Sequence, residues 1–260
     1  MPLPALPRQL VLDTRISTGN RTDFIDTILQ LGAARSSAYV CFANVHMLVE
    51  AHNDPSFRKI LDGAAIVSPD GSPVAAAVGW FHGQQQERVA GMDLLPALLA
   101  EAAQRNQSVY FYGTTEEVLA TMVARARREL PTLRIAGTHS PPFRPLSPEE
   151  DAAEVAAINA ADPDLVFVAL GCPRQERWMA NHQGQIRACM LGVGQAFPVY
   201  AGLEQRLPTW ARKLWLEWAY RLWLEPKRLW RRYLITNSHF LYLMAQRTMF
   251  RAGNNLKTVS

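Results

Sequence analysis

Apolar residues follow two alternating rhythms over most of the chain. Between Thr22 and Leu31, Phe24, Ile25, Ile28, Leu29 and Leu31 recur at the spacing of one helix face, whereas Tyr39 to Phe42 form a short unbroken apolar run. The first pattern predicts an amphipathic helix and the second a strand buried on both faces. The alternation continues downstream. Helical periodicity covers His46 to Leu61, Val74 to Phe81, Asp93 to Arg105, Thr115 to Leu130, Pro148 to Ala160 and Gln175 to Asn181. Short apolar runs cover Ala65 to Val67, Val109 to Tyr112, Leu133 to Ala136, Leu165 to Leu170 and Ala188 to Leu191. Strands separated by helices imply βαβ crossovers, and hence an α/β fold with a doubly wound, mostly parallel sheet.

Such a sheet binds ligands in the crevice at the carboxyl ends of its strands. The residues just after each predicted strand are therefore the candidates: Asn44 and His46, Asp70 and Gly71, Gly113, Gly137 to His139, Gly171 to Glu176, and Gly192 to Gln195.

The texture changes after Gly202. From Leu207 to Arg251 there is no strand signal, and Trp210, Trp215, Trp218, Trp223 and Trp230 alternate with Arg and Lys. We divide the chain accordingly into an α/β domain over residues 1–203 and a basic, Trp-rich helical appendage over 204–260, with Pro208 and Pro226 at helix starts. Aromatic bodies mixed with cationic heads suit a helix at a lipid headgroup boundary. The same composition also fits packing onto the core or contact with nucleic acid, of which nucleic acid is the least favoured partner.

Length and composition are those of a folded protein: 260 residues, 48% hydrophobic and 19% charged. Cys41, Cys172 and Cys189 are odd in number and scattered, which excludes a disulfide framework and points to a reducing cytoplasm. Pro2, Pro4, Pro7 and Arg8 interrupt the N-terminal stretch where a secretory signal needs apolar continuity, and no window approaches the ~20 apolar residues of a membrane span. Membrane contact is expected to be peripheral. The histidines are dispersed, so no metal and no cofactor is expected.

Each candidate motif has a structural reading beside its functional one. Ser68-Pro69-Asp70-Gly71 places a carboxylate at a strand end, where it can act as a general base; it is equally a β-turn in which Pro sets φ and Gly supplies a positive φ. Gly171-Cys172-Pro173-Arg174-Gln175-Glu176 opens a helix whose free N–H groups and Arg174 suit a phosphate, or else Gln175 and Glu176 merely cap that helix. Gly192-Val193-Gly194 resembles part of a dinucleotide loop but lacks the third glycine and the acidic residue that completes it. Asp162-Pro163-Asp164 has the Asp-x-Asp form of a metal-diphosphate site, yet it precedes its strand, at the edge opposite the crevice, and is read as a helix terminus. Two rivals stay open from these motifs: a nucleotide-dependent oxidoreductase using Gly192 to Gly194, and a basic nucleic-acid-binding module.

Read in order, these segments resemble the WecG/TagA/CpsF family of glycosyltransferases, from about Tyr39 to Tyr233. The resemblance is carried by Asn44, the run Asp54 to Leu61, Pro69-Asp70-Gly71, Gly91-Met92-Asp93-Leu94, Phe111-Tyr112-Gly113, Leu170 to Glu176, Gly192-Val193-Gly194, and Leu216 through Arg221 to Tyr233. It implies a Rossmann-like fold and an inverting, metal-independent transfer from a UDP-sugar to a polyprenyl-diphosphate-linked sugar at the inner face of the cell membrane. The sugar moved would be a hexose, an N-acetylhexosamine or its uronic acid. By the same resemblance Asp70 is the general base, and Asn44 and Gln175 line the reaction centre. Gly71, Gly113, Gly171, Arg174, Gly192 and Gly194 border the substrates, and Arg221, Arg228 and Arg231 of the appendage approach the diphosphates. Three departures bear on nucleotide recognition: Phe42 where relatives carry Thr, Pro198 where Asp is usual, and Pro141-Pro142 in place of Gly-Tyr.

Overall fold

In a computed structural model, which describes residues 4–205 and 226–257, the six apolar runs become the six strands of one sheet. They are β3 (Tyr39–Ala43), β4 (Ile66–Pro69), β5 (Ser108–Gly113), β6 (Arg134–His139), β7 (Leu165–Ala169) and β8 (Cys189–Gly192). Their order is β4-β3-β8-β7-β5-β6, and every neighbouring pair is parallel. The expected mostly parallel, Rossmann-like sheet is thus wholly parallel.

Parallel strands are covered on both faces, and alternate side chains enter two apolar clusters. Val40, Phe42, Val109, Phe111, Leu165, Phe167, Cys189 and Leu191 point to the first. There they meet α1 (Arg21–Ala33), α5 (Gly91–Gln104), α6 (Glu116–Glu129) and α9 (Ala196–Ala201). Tyr39, Cys41, Tyr110, Tyr112, Val166, Val168 and Met190 point to the second. It is closed by α2 (Val45–Asn53), α3 (Pro55–Gly63), α4 (Ser72–His82), α7 (Pro148–Ala161) and α8 (Arg174–Asn181).

Two elements depart from the periodicity reading. The helix expected over His46 to Leu61 is two helices, α2 and α3. Pro55 has no N–H to give a continuing helix and holds the preceding residue extended, so Asp54 sits at φ −120, ψ 100 and caps α3 through the Ser56 N–H at 2.8 Å. The second is an antiparallel hairpin that the pattern did not reveal, β1 (Arg8–Val11) and β2 (Thr14–Ser17). Its buried Val11 and Ile16 join the second cluster. Asp162 is confirmed as a helix terminus: it ends α7 in the left-handed conformation, at φ 52.

The C-terminal helix α10 (Pro226–Lys257) lies against α2 and sends Phe240 and Leu243 into the second cluster. The Trp80 indole N–H donates to Thr248 at 3.1 Å and Arg247 donates to the Leu12 carbonyl at 3.0 Å. The opposite face of α10 exposes Ile235, Tyr242 and Met249. Among the described residues no helix is long and apolar enough to cross a membrane.

Candidate functional site

The strand order reverses beside β3. From β3 the chain turns outward to β4 at the sheet edge, while β8, on the other side of β3, closes the half built from β5 to β7. In doubly wound sheets such a reversal marks the ligand crevice, at the carboxyl ends of the strands, which here is the edge that carries the loops after β3, β4 and β8.

On the β3–β4 side, Asn44 leaves β3 in extended conformation and caps α2, its Oδ1 accepting the Met47 N–H at 3.2 Å. Asp70 follows β4, tied by its N–H to the Ala43 carbonyl at 2.9 Å, and its side chain is half-buried. Gly71 abuts Asn44, since a Cβ placed on it lies 4.0 Å from Asn44 Cβ. The turn reading expected a positive φ here, but Gly71 sits at φ 173, ψ 135, in extended backbone open to other residues. Its neighbourhood to Asn44 distinguishes the position. Alongside runs a strap that sequence reasoning missed. The Val89 N–H donates to the Pro69 carbonyl at 3.0 Å, and the Ser68 hydroxyl to the Val89 carbonyl at 2.6 Å. This pins Arg88 next to the Asp70 turn, where Asp93 of α5 holds it at 2.6 Å. The signal was in Gly91-Met92-Asp93, but only the fold shows what Asp93 grips.

On the β7–β8 side, Gln175 is nearly fully buried at the start of α8. Its amide N–H groups reach the Gly192 carbonyl at 2.7 Å and Glu176 Oε1 at 2.8 Å, and its Oε1 accepts the Gly171 N–H at 3.2 Å. The alternative of Gln175 and Glu176 as simple caps is not what forms: Gln175 ties the loop before α8 to the end of β8. The small size of Gly192 and Gly194 is used for the same purpose. A Cβ on Gly192 would stand 2.7 Å from Met179 Cε and 3.0 Å from Gln175 Nε2, and one on Gly194 3.2 Å from Gln175 Oε1. Gly171 is the open member of the set, at φ 80 with no atom of the described residues beyond its chain neighbours within 4 Å of where a Cβ would stand, and Arg174 beside it is exposed. Gly113 ends β5 at φ 109 with Ala169 of β7 directly across, so the two strand ends meet backbone to backbone.

Glu176 is the electrostatic anomaly of the site. It has no exposed surface, and among the described residues its Oε2 has no nitrogen or oxygen partner, with the Cys172 thiol as the weak donor beside the carboxyl. Burial pushes its carboxyl up to about 7. Burial also raises the neighbouring Cys41 thiol, with the carboxylate of Glu176 adding to the effect.

The fold therefore brings Asn44, Asp70 and Gly71 together on one side of the crevice, and Gly171, Arg174, Gln175, Gly192 and Gly194 on the other, with β3 and β8 adjacent between them. Gly113 closes the β5 end. Arg221 lies outside the described residues, and Arg228 and Arg231 are described only as helical backbone of α10. Phe42 is buried against Gly91 at the start of α5.

This crevice offers a carboxylate on a fixed turn, two amides and a polar, glycine-lined rim, a set suited to deprotonating a hydroxyl beside a bound phosphate ester. A protein of Bacillus spizizenii named N-acetylglucosaminyldiphosphoundecaprenol N-acetyl-beta-D-mannosaminyltransferase is 34% identical over 226 residues, covering 83% of this chain and 85% of its own length. Proteins of the same name from Bacillus subtilis and Staphylococcus aureus are 31% identical over 92% of this chain and 28% identical over 81% of it, covering 90% and 81% of their own lengths. The sequence also matches the glycosyl transferase WecG/TagA/CpsF family from residue 9 to residue 254, the whole sheet and α10 into its last turns, and the chain belongs to that family.

Proposed function

We propose that this glycosyltransferase moves an N-acetylhexosaminyl group, N-acetylmannosamine first among the candidates, from a UDP-sugar to the sugar of a polyprenyl-diphosphate carrier, with inversion. The observation that carries this reading is the Asp70 turn, fixed at the strand-end crevice against Asn44. The names of the relatives supply the class of sugar and the lipid diphosphate. In the reaction, the acceptor hydroxyl gives its proton to the Asp70 carboxylate as its oxygen bonds to the anomeric carbon. The bond from that carbon to the diphosphate breaks on the opposite face, and its electron pair leaves with UDP. Asn44 and Gln175 line the reacting centre, while the backbone at Gly71, Gly113, Gly171, Gly192 and Gly194 allows close approach of the substrates.

Negative charge gathers on the departing diphosphate and needs fixed cations. Arg174, exposed beside Gly171, is assigned this role, and Arg221, Arg228 and Arg231 are assigned the same role from residues 204–260. That appendage, with its Trp and basic residues, is also the part we assign to the membrane surface, where the carrier lipid resides. It completes a site whose groundwork lies in residues 1–203.

UDP release with a panel of UDP-sugars and a short-chain lipid-diphosphate acceptor tests the assignment. N-acetylmannosamine is expected to be the fastest donor. Asp70→Asn is expected to melt like the parent and to lose about a hundredfold or more of its turnover. Full activity in that variant removes the base from the scheme.

A further inference from the structure

We propose that Glu176 is a positioning residue: acting through Gln175, whose amide orientation it locks, it holds the loop before α8 against the end of β8. The inference rests on the transferase reading of the crevice. Its physical basis is independent of it.

A primary amide can be flipped end for end with little change of shape, so its orientation must be imposed by its partners. Around Gln175 the partners are the Gly192 carbonyl, the Gly171 N–H and the Glu176 carboxyl. An ionised carboxyl can only accept. The Gly192 carbonyl likewise only accepts and the Gly171 N–H only donates, so the ionised carboxyl reinforces the one orientation that all three partners allow: NH2 towards the two acceptors, Oε1 towards the Gly171 N–H. A neutral amide at position 176 can offer either end and imposes no such choice.

The arrangement is costly for a residue with a merely structural task. Glu176 is wholly buried, Oε2 finds no nitrogen or oxygen partner among the described residues, and the Cys172 thiol, a weak donor, offsets only part of the cost of burial. An apolar side chain of similar volume would fill the same space without that penalty. Buried polar atoms left unmatched are few in folded proteins, and each calls for an explanation. The titratable groups that face the carboxyl are Cys41 from β3 and Cys172 from the loop itself. Neither thiol supplies a countercharge, which agrees with the upward displacement of the carboxyl to about 7. The grip on Gln175 is accordingly strongest above that pH, when Glu176 is charged, and weakens as the pH falls through it.

Two measurements test the inference. The first is a double-mutant cycle on kcat for UDP release with Glu176→Ala and Gln175→Ala. Each single change is expected to lower kcat by about tenfold or more, and the double variant to be no slower than the slower single one. Glu176→Gln, which keeps volume and an acceptor, is expected to restore part of kcat and to abolish an acid limb of kcat centred near 7 in the parent. Losses that multiply in the double variant, or an acid limb that survives in Glu176→Gln, overturn the inference, as does full kcat in either alanine variant.

The second needs no turnover. In the 15N-labelled full chain the Gln175 side-chain amide signals, identified by their loss in Gln175→Ala, are expected to shift with a midpoint near 7 in the parent and to stay constant in Glu176→Gln. Signals that do not titrate in the parent refute the link between the two side chains. A parent that releases no UDP with any donor sinks the transferase reading alone, and the amide titration still decides the role of Glu176.

Discussion

At the scale of single residues, the crevice depends on backbone and side-chain positions that cannot be exchanged for similar ones. Gly113 is the sharpest case, since it combines φ 109 with a strand end so close that a Cβ would lie 2.5 Å from the Ala169 carbonyl oxygen. Both the backbone angle and the contact oppose any side chain. Gly113→Ala should lower the unfolding free energy by about 2 kcal/mol or more, read from urea melts. Glu176 gives a second residue-level expectation. Its carboxyl titrates near 7 in the folded chain against an ordinary value of 4.5, so the folded state holds the proton more tightly than the unfolded one. Stability is then highest in acid with respect to this group and declines as the pH rises from the ordinary value through about 7. Glu176→Gln removes that dependence. The variant should exceed the parent in stability by something on the order of 3 kcal/mol at pH 8, with the gap closing as the pH is lowered towards 5. A gap that stays constant across this range would mean that the carboxyl does not titrate there.

At the scale of elements, the strands were legible and the breaks between helices were not. Five of the six sheet strands are buried along their whole length because both faces are covered, and such runs stand out from any surface segment, while β6 at the sheet edge stays partly exposed. The α2–α3 junction was hidden because apolar spacing persists across Asp54-Pro55, although the dipeptide itself carries the reason for the break. The β1–β2 hairpin was hidden for the opposite reason. Its strands are four residues each, and its turn places Leu12 at φ 53, without the Asn-Gly or Asp-Gly signature that marks a tight hairpin. Helix ends follow local chemistry more faithfully. Ser147 caps α7 by accepting the Glu150 N–H, while Glu150 reaches back to the Ser147 N–H at 2.9 Å. Ser147→Ala is expected to cost about 1 kcal/mol in a thermal or denaturant melt.

At the scale of the whole molecule, α10 joins the C-terminal part of the chain to the sheet. Phe240 and Leu243 are each 5% exposed within the cluster that also holds α2 and the β1–β2 hairpin. Losing two such side chains forfeits a few kcal/mol at about 2 kcal/mol each, while both main clusters on the sheet persist without them. Deletion from Leu207 onward should therefore leave a folded but less stable α/β domain, seen as an intact circular dichroism spectrum with an earlier melt. Its UDP release should be small, since the cations assigned to the leaving group are gone. Unchanged turnover after that deletion would refute a site completed by the appendage.

The sequence by itself determined the wholly apolar strands, their alternation with helices, and so a parallel sheet with its ligand crevice at the carboxyl ends. These are consequences of burial and of the reach of a crossover connection, both local in the chain. The order of family motifs likewise picked out Asn44, Asp70 and Gln175 before any geometry was known. Tertiary structure alone decided what those residues touch. That Gly71 rests on Asn44, that Arg88 is strapped beside the Asp70 turn, and that Glu176 is buried behind Gln175 with an unmatched oxygen all depend on strands far apart in sequence lying side by side. Burial and hydrogen-bond partnership are properties of neighbours in space, and no period along the chain encodes them.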